Sequence, residues 1–395
     1  MTSHGDRPLG DLSLGDLSLG DIVQAFDGWY PPETAEAWDA VGLSCGDPSE
    51  PVRRILLAVD CVPATVDEAI DRGAQLLITH HPLLFSGVHG VPTTSPKGAL
   101  VHRMIRHGVA HLAAHTNADI AVDGVSQALA ERVGLLEVRP LVPATAPLLD
   151  HLSVHVPPAD LIPLVDALSR AGAGAFGNYD QCTFTVEGVG TYRPLPGADP
   201  ADGEIGRLTR KPEARLSMVF PRSLREQVIA AMRTAHPYEE VAFELTEQPR
   251  LAAPTGSGRI GRLPEPMTLA EFTERASRLL PSTVWGVRSA GAPSQVLETV
   301  AVCGGSGSSY IDAARAAGAD AYLTSDLKHH DTLEAVLERQ RPDGPAPMAL
   351  IDAAHWATER PWLDRASALL GEHFGSAVEV VVSDLVTDPW SGHAH

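Results

Sequence analysis

Short apolar runs alternate with amphipathic stretches as far as Gly134, at a spacing that predicts repeated strand and helix units. A short helix is expected from Asp21 to about Asp27. Arg54–Asp60 reads as an apolar strand, Pro63–Arg72 as an amphipathic helix, and Gly73-Ala74 as its stop. The run Leu76–Thr79 predicts a buried strand that delivers His80 and His81 to its carboxyl end, where Pro82 ends the ladder. A helix follows over about Lys97–His107. Ala110–Ala114 is a strand that delivers His115, and Asp123–Gly134 is another helix. Units of this length predict a parallel or mixed sheet with right-handed crossovers.

The texture changes between about Pro140 and Pro254. Pro140, Pro143 and Pro147 read as a linker. Leu152–Val156, Asp160–Ala171 and Cys182–Gly188 then predict strand, helix, strand, followed by a Pro/Gly-rich loop over Arg193–Arg210. Arg215–Phe220, Ser223–Ala235 and Val241–Leu245 repeat the order. Two β-α-β units predict a small ferredoxin-like α+β domain, closed by a second Pro/Gly-rich segment, Pro249–Pro266.

Beyond it the first pattern returns. Ile55–Asp60 is answered by Val300–Gly305, and Gly73–Thr79 by Gly318–Thr324. His115-x-x-x-Asp119 is answered by His355-x-x-x-Glu359, again just after an apolar run, Met348–Ile351. Three matched elements in one order indicate an internal duplication. The fold expected is therefore α/β: a duplicated, pseudo-symmetric domain of residues 21–140 and 255–395, interrupted by an insert of residues 145–250. Residues 1–20 carry a five-residue repeat, Leu9–Ser13 and Leu14–Ser18, whose period fits neither helix nor strand. They are expected to be a flexible extension.

Composition narrows the function. Over 395 residues the formal charge is -20, which disfavours nucleic acid as a partner, since a phosphate backbone selects a basic face. The four cysteines, Cys45, Cys61, Cys182 and Cys303, form no CxxC pair, which points to reduced thiols and a cytoplasmic protein. No apolar run approaches the roughly 18 to 20 residues of a membrane span, and no signal-peptide pattern is present.

The candidate chemistry lies at the predicted strand ends. Ligands of α/β sheets bind there, and the duplication would gather His80, His81, His115, Asp119, His355 and Glu359 at one cleft. Imidazoles mixed with carboxylates suit zinc, manganese, iron or cobalt, and are too rich in nitrogen for calcium or magnesium alone. Five or six such groups exceed one tetrahedral ion and suit two ions about 3.5–4 Å apart. Gly304-Gly305-Ser306-Gly307 follows a strand and opens a helix, so its amides are candidates for a phosphate cradle or simply a tight turn. Lys328, His329 and His330 are candidates to hold a substrate anion. Trp356 and Trp362 read as packing around the site rather than stacking platforms, and His236–Glu240 as a turn into the next strand, with contact to a ligand as the alternative.

Trp38-Asp39-Ala40-Val41-Gly42-Leu43, Thr79-His80-His81-Pro82, His115-Thr116-Asn117-x-Asp119, Ser325-Asp326-x-Lys328-His329-His330 and His355-x-x-x-Glu359 together resemble the NIF-three (NGG-one-interacting factor three) family. Its members are also labelled dinuclear metal-centre hexameric proteins or type 2 GTP cyclohydrolase homologues. The resemblance spans about residues 21–390 and implies that the insert is PII-like or CutA-like. It implies two metal ions on His80, His81, Asp119, His355 and Glu359, with His115 beside them as acid/base or substrate contact and Asp326–His330 lining the cleft. It also implies a homohexamer. Ala40 and Ser325 depart from residues frequent in the family, and neither is a ligand.

The leading expectation is a metal-dependent hydrolase of a nucleotide or similar small anion, with cyclohydrolase-like chemistry among the options. The other class is a non-catalytic metal-binding, metal-delivering or regulatory scaffold whose insert senses an effector. Turnover with defined metal separates them.

Overall fold

The computed structural model describes residues 17–146, 148–249, 252–338 and 348–392. They divide into two compact units, 17–144 together with 254–392, and 145–253. The pentad repeat falls almost wholly on residues 1–16, outside the described residues. Leu17 and Leu19 are buried, so the fold begins inside the stretch expected to be flexible. Ser18 caps helix α1 (Leu19–Trp29), its Oγ accepting the Asp21 N–H at 3.2 Å while the Asp21 carboxylate accepts the Ser18 N–H at 2.9 Å. This capping box explains why the helix starts before Asp21.

The first half of the larger unit continues with β1 (Gly42–Cys45), β2 (Arg54–Ala58), α2 (Pro63–Asp71), β3 (Leu76–Thr79), α3 (Pro96–Arg106), β4 (Ala110–Ala113), α4 (Thr116–Ile120), α5 (Val125–Arg132) and β5 (Leu136–Thr145). The smaller unit holds β6 (Leu149–Val156), α6 (Leu161–Arg170), β7 (Phe184–Tyr192), β8 (Thr209–Pro221), α7 (Arg225–Ala235) and β9 (Phe243–Glu247). The larger unit resumes with β10 (Ala252–Thr268), α8 (Leu269–Leu279), β11 (Val287–Ala290), β12 (Val296–Ser306), α9 (Ile311–Ala316), β13 (Ala321–Ser325), α10 (His329–Glu338), β14 (Ala349–Ala353), α11 (His355–Phe374) and β15 (Glu379–Val382).

Two mixed sheets build the larger unit. One has the order β1-β4-β3-β2-β15 and the other β11-β14-β13-β12-β10-β5. In each, an antiparallel edge strand, β1 or β11, flanks three consecutive parallel strands, and in the first sheet β15 adds a fourth, parallel to β2. The parallel strands are buried on both faces and so read as unbroken apolar runs. One face of both sheets shares a core with α5 and α11, including Ile55, Ile78, Leu129, Val300, Ile351 and Trp362. The outer faces carry separate clusters, Leu56 and Leu77 with Val66 and Met104, and Tyr322 and Leu350 with Ile311 and Ala314. Strand alternation thus splits neighbouring residues between layers.

Two segments expected as proline-rich linkers are strands instead. β5 carries Pro140 and Pro143 at the sheet edge, where a missing N–H leaves no ladder bond unmade. β10 pairs with β12, and its register shifts between Arg262 and Met267, which brackets Pro264 and Pro266. A bulge accommodates them.

The smaller unit is a four-stranded antiparallel sheet of order β7-β8-β6-β9 with α6 and α7. Leu152, Val154, Leu164, Leu168, Leu216, Met218, Val228 and Met232 form its core. Asp150 is fully buried there and paired with Arg222 and Arg225 at 3.0 and 2.6 Å.

Candidate metal centre

Three chain segments place the key side chains in the larger unit. β3 ends at Thr79, so His80 and His81 follow it directly; His115 precedes the short helix α4, and Asp119 lies within it. His355 opens α11, and Glu359 lies one turn on, on the same helix face. The structure brings all six together. His80 Nε2 is 3.4 Å from Glu359 Oε1 and 3.6 Å from Asp119 Oδ1. His81 Nε2 is 3.1 Å from Glu359 Oε2, and His355 Nε2 is 2.9 Å from Glu359 Oε1. The His80 and His115 rings are 5.0 Å apart, those of His81 and His355 5.2 Å.

Each of the four histidines has its Nδ1 against an oxygen acceptor. His80 Nδ1 lies 2.9 Å from the Ala114 carbonyl. For His81 the acceptor is Asp60 at 2.7 Å, for His115 Asp39 at 2.9 Å, and for His355 Asp326 at 2.5 Å. A carbonyl or carboxylate only accepts, so in the neutral ring the proton is on Nδ1 and Nε2 is a bare lone pair. Nitrogen lone pairs therefore face carboxylate oxygens. His80 Nε2, Asp119 Oδ1 and Glu359 Oε2 are buried without a hydrogen-bond partner. That arrangement is repulsive unless protons or a cation lie between the groups.

The electrostatics of the cluster express the same deficit. Burial alone would lower His81 and His355, yet the Glu359 carboxylate and the carboxylate on each Nδ1 override it and push them up to about 10 and about 11. Burial opposes ionisation of Glu359, but His81, His355 and His80 hold it well below the usual carboxylate range. Burial lifts Asp119 to about 6. His115 differs: burial and the neighbouring His80 push it down to about 4, despite Asp39. Two sets of donor atoms each cluster within 4.8 Å, His80 with His81 and His115, and His81 with His355 and Glu359. Buried unpartnered nitrogen and oxygen donors with fixed tautomers fit a divalent transition metal.

Residues 17–389 match the family described as Duf34/NIF3 (NGG1p interacting factor 3). The chain belongs to that family. Relatives named "GTP cyclohydrolase 1 type 2 homolog" include a Mycobacterium tuberculosis protein, 44% identical over 94% of this chain and 96% of its own length. A Bacillus subtilis protein of the same name is 36% identical over 94% of this chain and 97% of its own. Among solved structures, a Bacillus cereus protein related to NIF3 is 36% identical with a TM-score of 0.71, covering 95% of this chain and 99% of that one. A Staphylococcus aureus protein is 28% identical with a TM-score of 0.77 over the same shares.

In this Duf34/NIF3 chain two of the donors, His81 and His355, line a cavity of about 670 Å³. Its walls include Phe85, Trp285, Trp356 and Trp390, the carboxylates Asp60, Asp326 and Asp388, and a single cationic side chain, Lys97. Lys328, His329 and His330, the residues expected to hold a substrate anion, are exposed and do not line this cavity. Asp326 adopts a left-handed backbone, φ 57°, and the Leu327 N–H donates to Asp352 at 3.2 Å. That turn carries the next residues away, and the segment gives the cavity only Asp326 and Leu327.

The glycine run is explained by close packing. A Cβ on Gly305 would stand 2.5 Å from Glu359 Oε1, and its φ is +64°. Its N–H donates to Thr358 Oγ1 at 2.9 Å, while that of Gly304 faces Ser126 Oγ at 3.3 Å. Amides so engaged do not form a phosphate cradle. Trp362 is buried, 5.4 Å from the His80 ring, and its indole donates to the Tyr30 hydroxyl at 3.1 Å.

Sequence reasoning missed the roles of Asp39 and Asp60. Asp60 closes the β2 run one residue past an apolar stretch, at the same sheet end as His80, which is the signal that marks it. Asp39 lies inside the Trp38–Leu43 motif, but its distance in sequence from His115 leaves no local pattern to join them.

Proposed function

We propose that this chain holds two divalent transition-metal ions on His80, His81, Asp119, His355 and Glu359, and hydrolyses a small anionic molecule such as a nucleotide. The observation that carries the reading is the buried, unpartnered set His80 Nε2, Asp119 Oδ1 and Glu359 Oε2, with histidine tautomers fixed from behind. Zinc, manganese, iron or cobalt suits these donors. Bound divalent ions supply Lewis acidity toward a carbonyl or phosphoryl oxygen. His115, kept neutral beside the donors, is assigned the transfer of a proton at its free Nε2. Lys97, the lysine in the cavity wall, is assigned the anion contact expected of Lys328–His330.

The printed name of the relatives, "GTP cyclohydrolase 1 type 2 homolog", favours a guanine nucleotide among the candidates. The matching order of four strands in each sheet, β1-β4-β3-β2 and β11-β14-β13-β12, supports descent by duplication. The order of β6 to β9 supports a ferredoxin-like, PII- or CutA-like insert. We assign the chain a hexameric assembly and a cytoplasmic location.

Metal analysis of protein purified without chelator, followed by a turnover screen over nucleotides and phosphoesters with each metal, tests it. Two ions per chain with a hydrolysed product is expected. A metal-loaded protein with no turnover in the screen would leave the second reading, a metal-delivering scaffold. The three carboxylates against one lysine around the cavity favour passage of cations in that case.

A further inference from the structure

The smaller unit carries a cavity of about 690 Å³, on the scale of a small-molecule site and too large for a lone ion. It opens against the β7–β8 hairpin, the 193–208 segment and the turn before β9. Two tyrosine rings stand in its wall, Tyr192 and Tyr238, with centroids 6.2 Å apart and planes tilted by 54°. Four carboxylates join them, Glu187, Glu213, Glu239 and Glu240, against only Arg193 and Arg215. Arg215 is already engaged, donating to Ser153 Oγ at 2.6 Å and facing Glu244 at 3.8 Å. The wall therefore has an excess of negative charge beside two aromatic faces.

The arrangement is held in place. Tyr238 donates its hydroxyl to Glu213 Oε1 at 2.9 Å, and its N–H donates to His236 Nδ1 at 3.1 Å. Buried His236 donates from Nε2 to the His155 carbonyl at 2.8 Å, which ties this turn to the end of β6. Glu213 lies across β7 over Gly190, where a Cβ would stand 1.9 Å from Oε2. Any other residue there would displace the carboxylate. The 193–208 segment is fastened by Asp199 N–H on Glu239 at 2.8 Å and by Tyr192 hydroxyl on the Asp202 carbonyl at 2.7 Å. Among the described residues, the side-chain carboxylates of Glu187 and Glu240 have no hydrogen-bond or ion-pair partner.

We propose that this cavity is a binding site for a small organic cation, an amine or guanidinium compound. Aromatic faces attract cations through the ring quadrupole, and flanking carboxylates accept their N–H donors. The same wall repels phosphates, so nucleotides are excluded here even though the metal centre is assigned one. Binding depends on screening and weakens with added salt.

Isothermal titration of the full-length protein with L-arginine and with spermidine distinguishes guanidinium from amine, with ATP and inorganic phosphate as anionic controls. Saturable binding of at least one cation, one per chain, is expected, unchanged by chelation of the metal centre. Glu213→Gln should weaken it about tenfold, the loss of one charge-assisted hydrogen bond. Glu240→Gln, at an exposed position, is a second variant that leaves the fold intact, and weaker binding is expected there too. Circular dichroism confirms that each variant folds. The proposal is overturned if neither cation binds saturably, if both variants bind like the parent, or if ATP binds more tightly than the cations.

Discussion

His81 and Asp60 are joined Nδ1 to Oδ1 at 2.7 Å, and the second oxygen of Asp60 accepts from the Thr387 hydroxyl. A carboxylate at the end of β2 thus orients one imidazole of the donor cluster and fastens the segment after β15 at the cavity wall. Carboxylates behind a ligating histidine fix its tautomer and raise its basicity. Asp60→Ala should therefore lower metal affinity about 10–100-fold without removing a direct ligand. Thr387→Val should cost less. A chelator-competition titration measures both, and an unchanged affinity in Asp60→Ala would separate Asp60 from the centre.

Glu359 faces three imidazoles with one carboxylate. Glu359→Gln keeps the shape and removes the charge, so the mutual repulsion of two cations is no longer offset. At least one ion per chain should be lost, by elemental analysis. Asp119→Ala should do the same. Full occupancy in both variants would take them out of the donor set.

The mixed α/β character and the gathering of six side chains at one place were legible because both rest on local signals. Apolar runs reveal buried strands, and histidines just past strand ends reveal where a site collects. His80, His81, His115 and His355 follow from that rule, and Asp119 and Glu359 from the four-residue spacing after His115 and His355. What escaped is long-range or hidden by residue type. Pairing of His115 with Asp39 joins residues with no local pattern in common. The direction taken after Asp326 depends on one left-handed residue and on Asp352, which no periodicity reports. β5 and β10 escaped because proline is a sound signal against a central strand, and an edge and a bulge are where that signal fails.

Metal uptake should release protons. In the metal-free protein His81 and His355 titrate at about 10 and about 11, so at pH 7.5 both hold protons that an ion must displace. Titration with zinc in two buffers of different ionisation enthalpy should show proton release, and affinity should rise with pH. The stability sign follows. A pKa raised above the ordinary 6.5 contributes stability that is complete below that value and is lost as pH rises through the folded value. The chelated protein should therefore lose thermal stability between about pH 6.5 and 11 from these two groups, while the loaded protein loses less. Parallel pH dependence of melting with and without chelator would contradict this.

The paired strands β5 and β10 set where the smaller unit can be removed. β5 runs to Thr145 and β10 starts at Ala252, and both belong to the six-stranded sheet whose core includes Leu141, Ile260 and Ala301. Replacing residues 146–251 with a short Gly/Ser linker keeps both strands, so the remaining chain should fold and retain its metal. Replacing residues 136–268 strips the sheet of two strands and exposes β12, including Val300 and Val302, at an open edge. That second deletion should be insoluble or markedly less stable. The comparison also asks how the chain is organised: if residues 145–250 form a separable insert, only the longer excision is harmful. Thermal melting and metal content of the two deletions give the answer, and failure of the shorter one to fold would make the smaller unit integral to the larger.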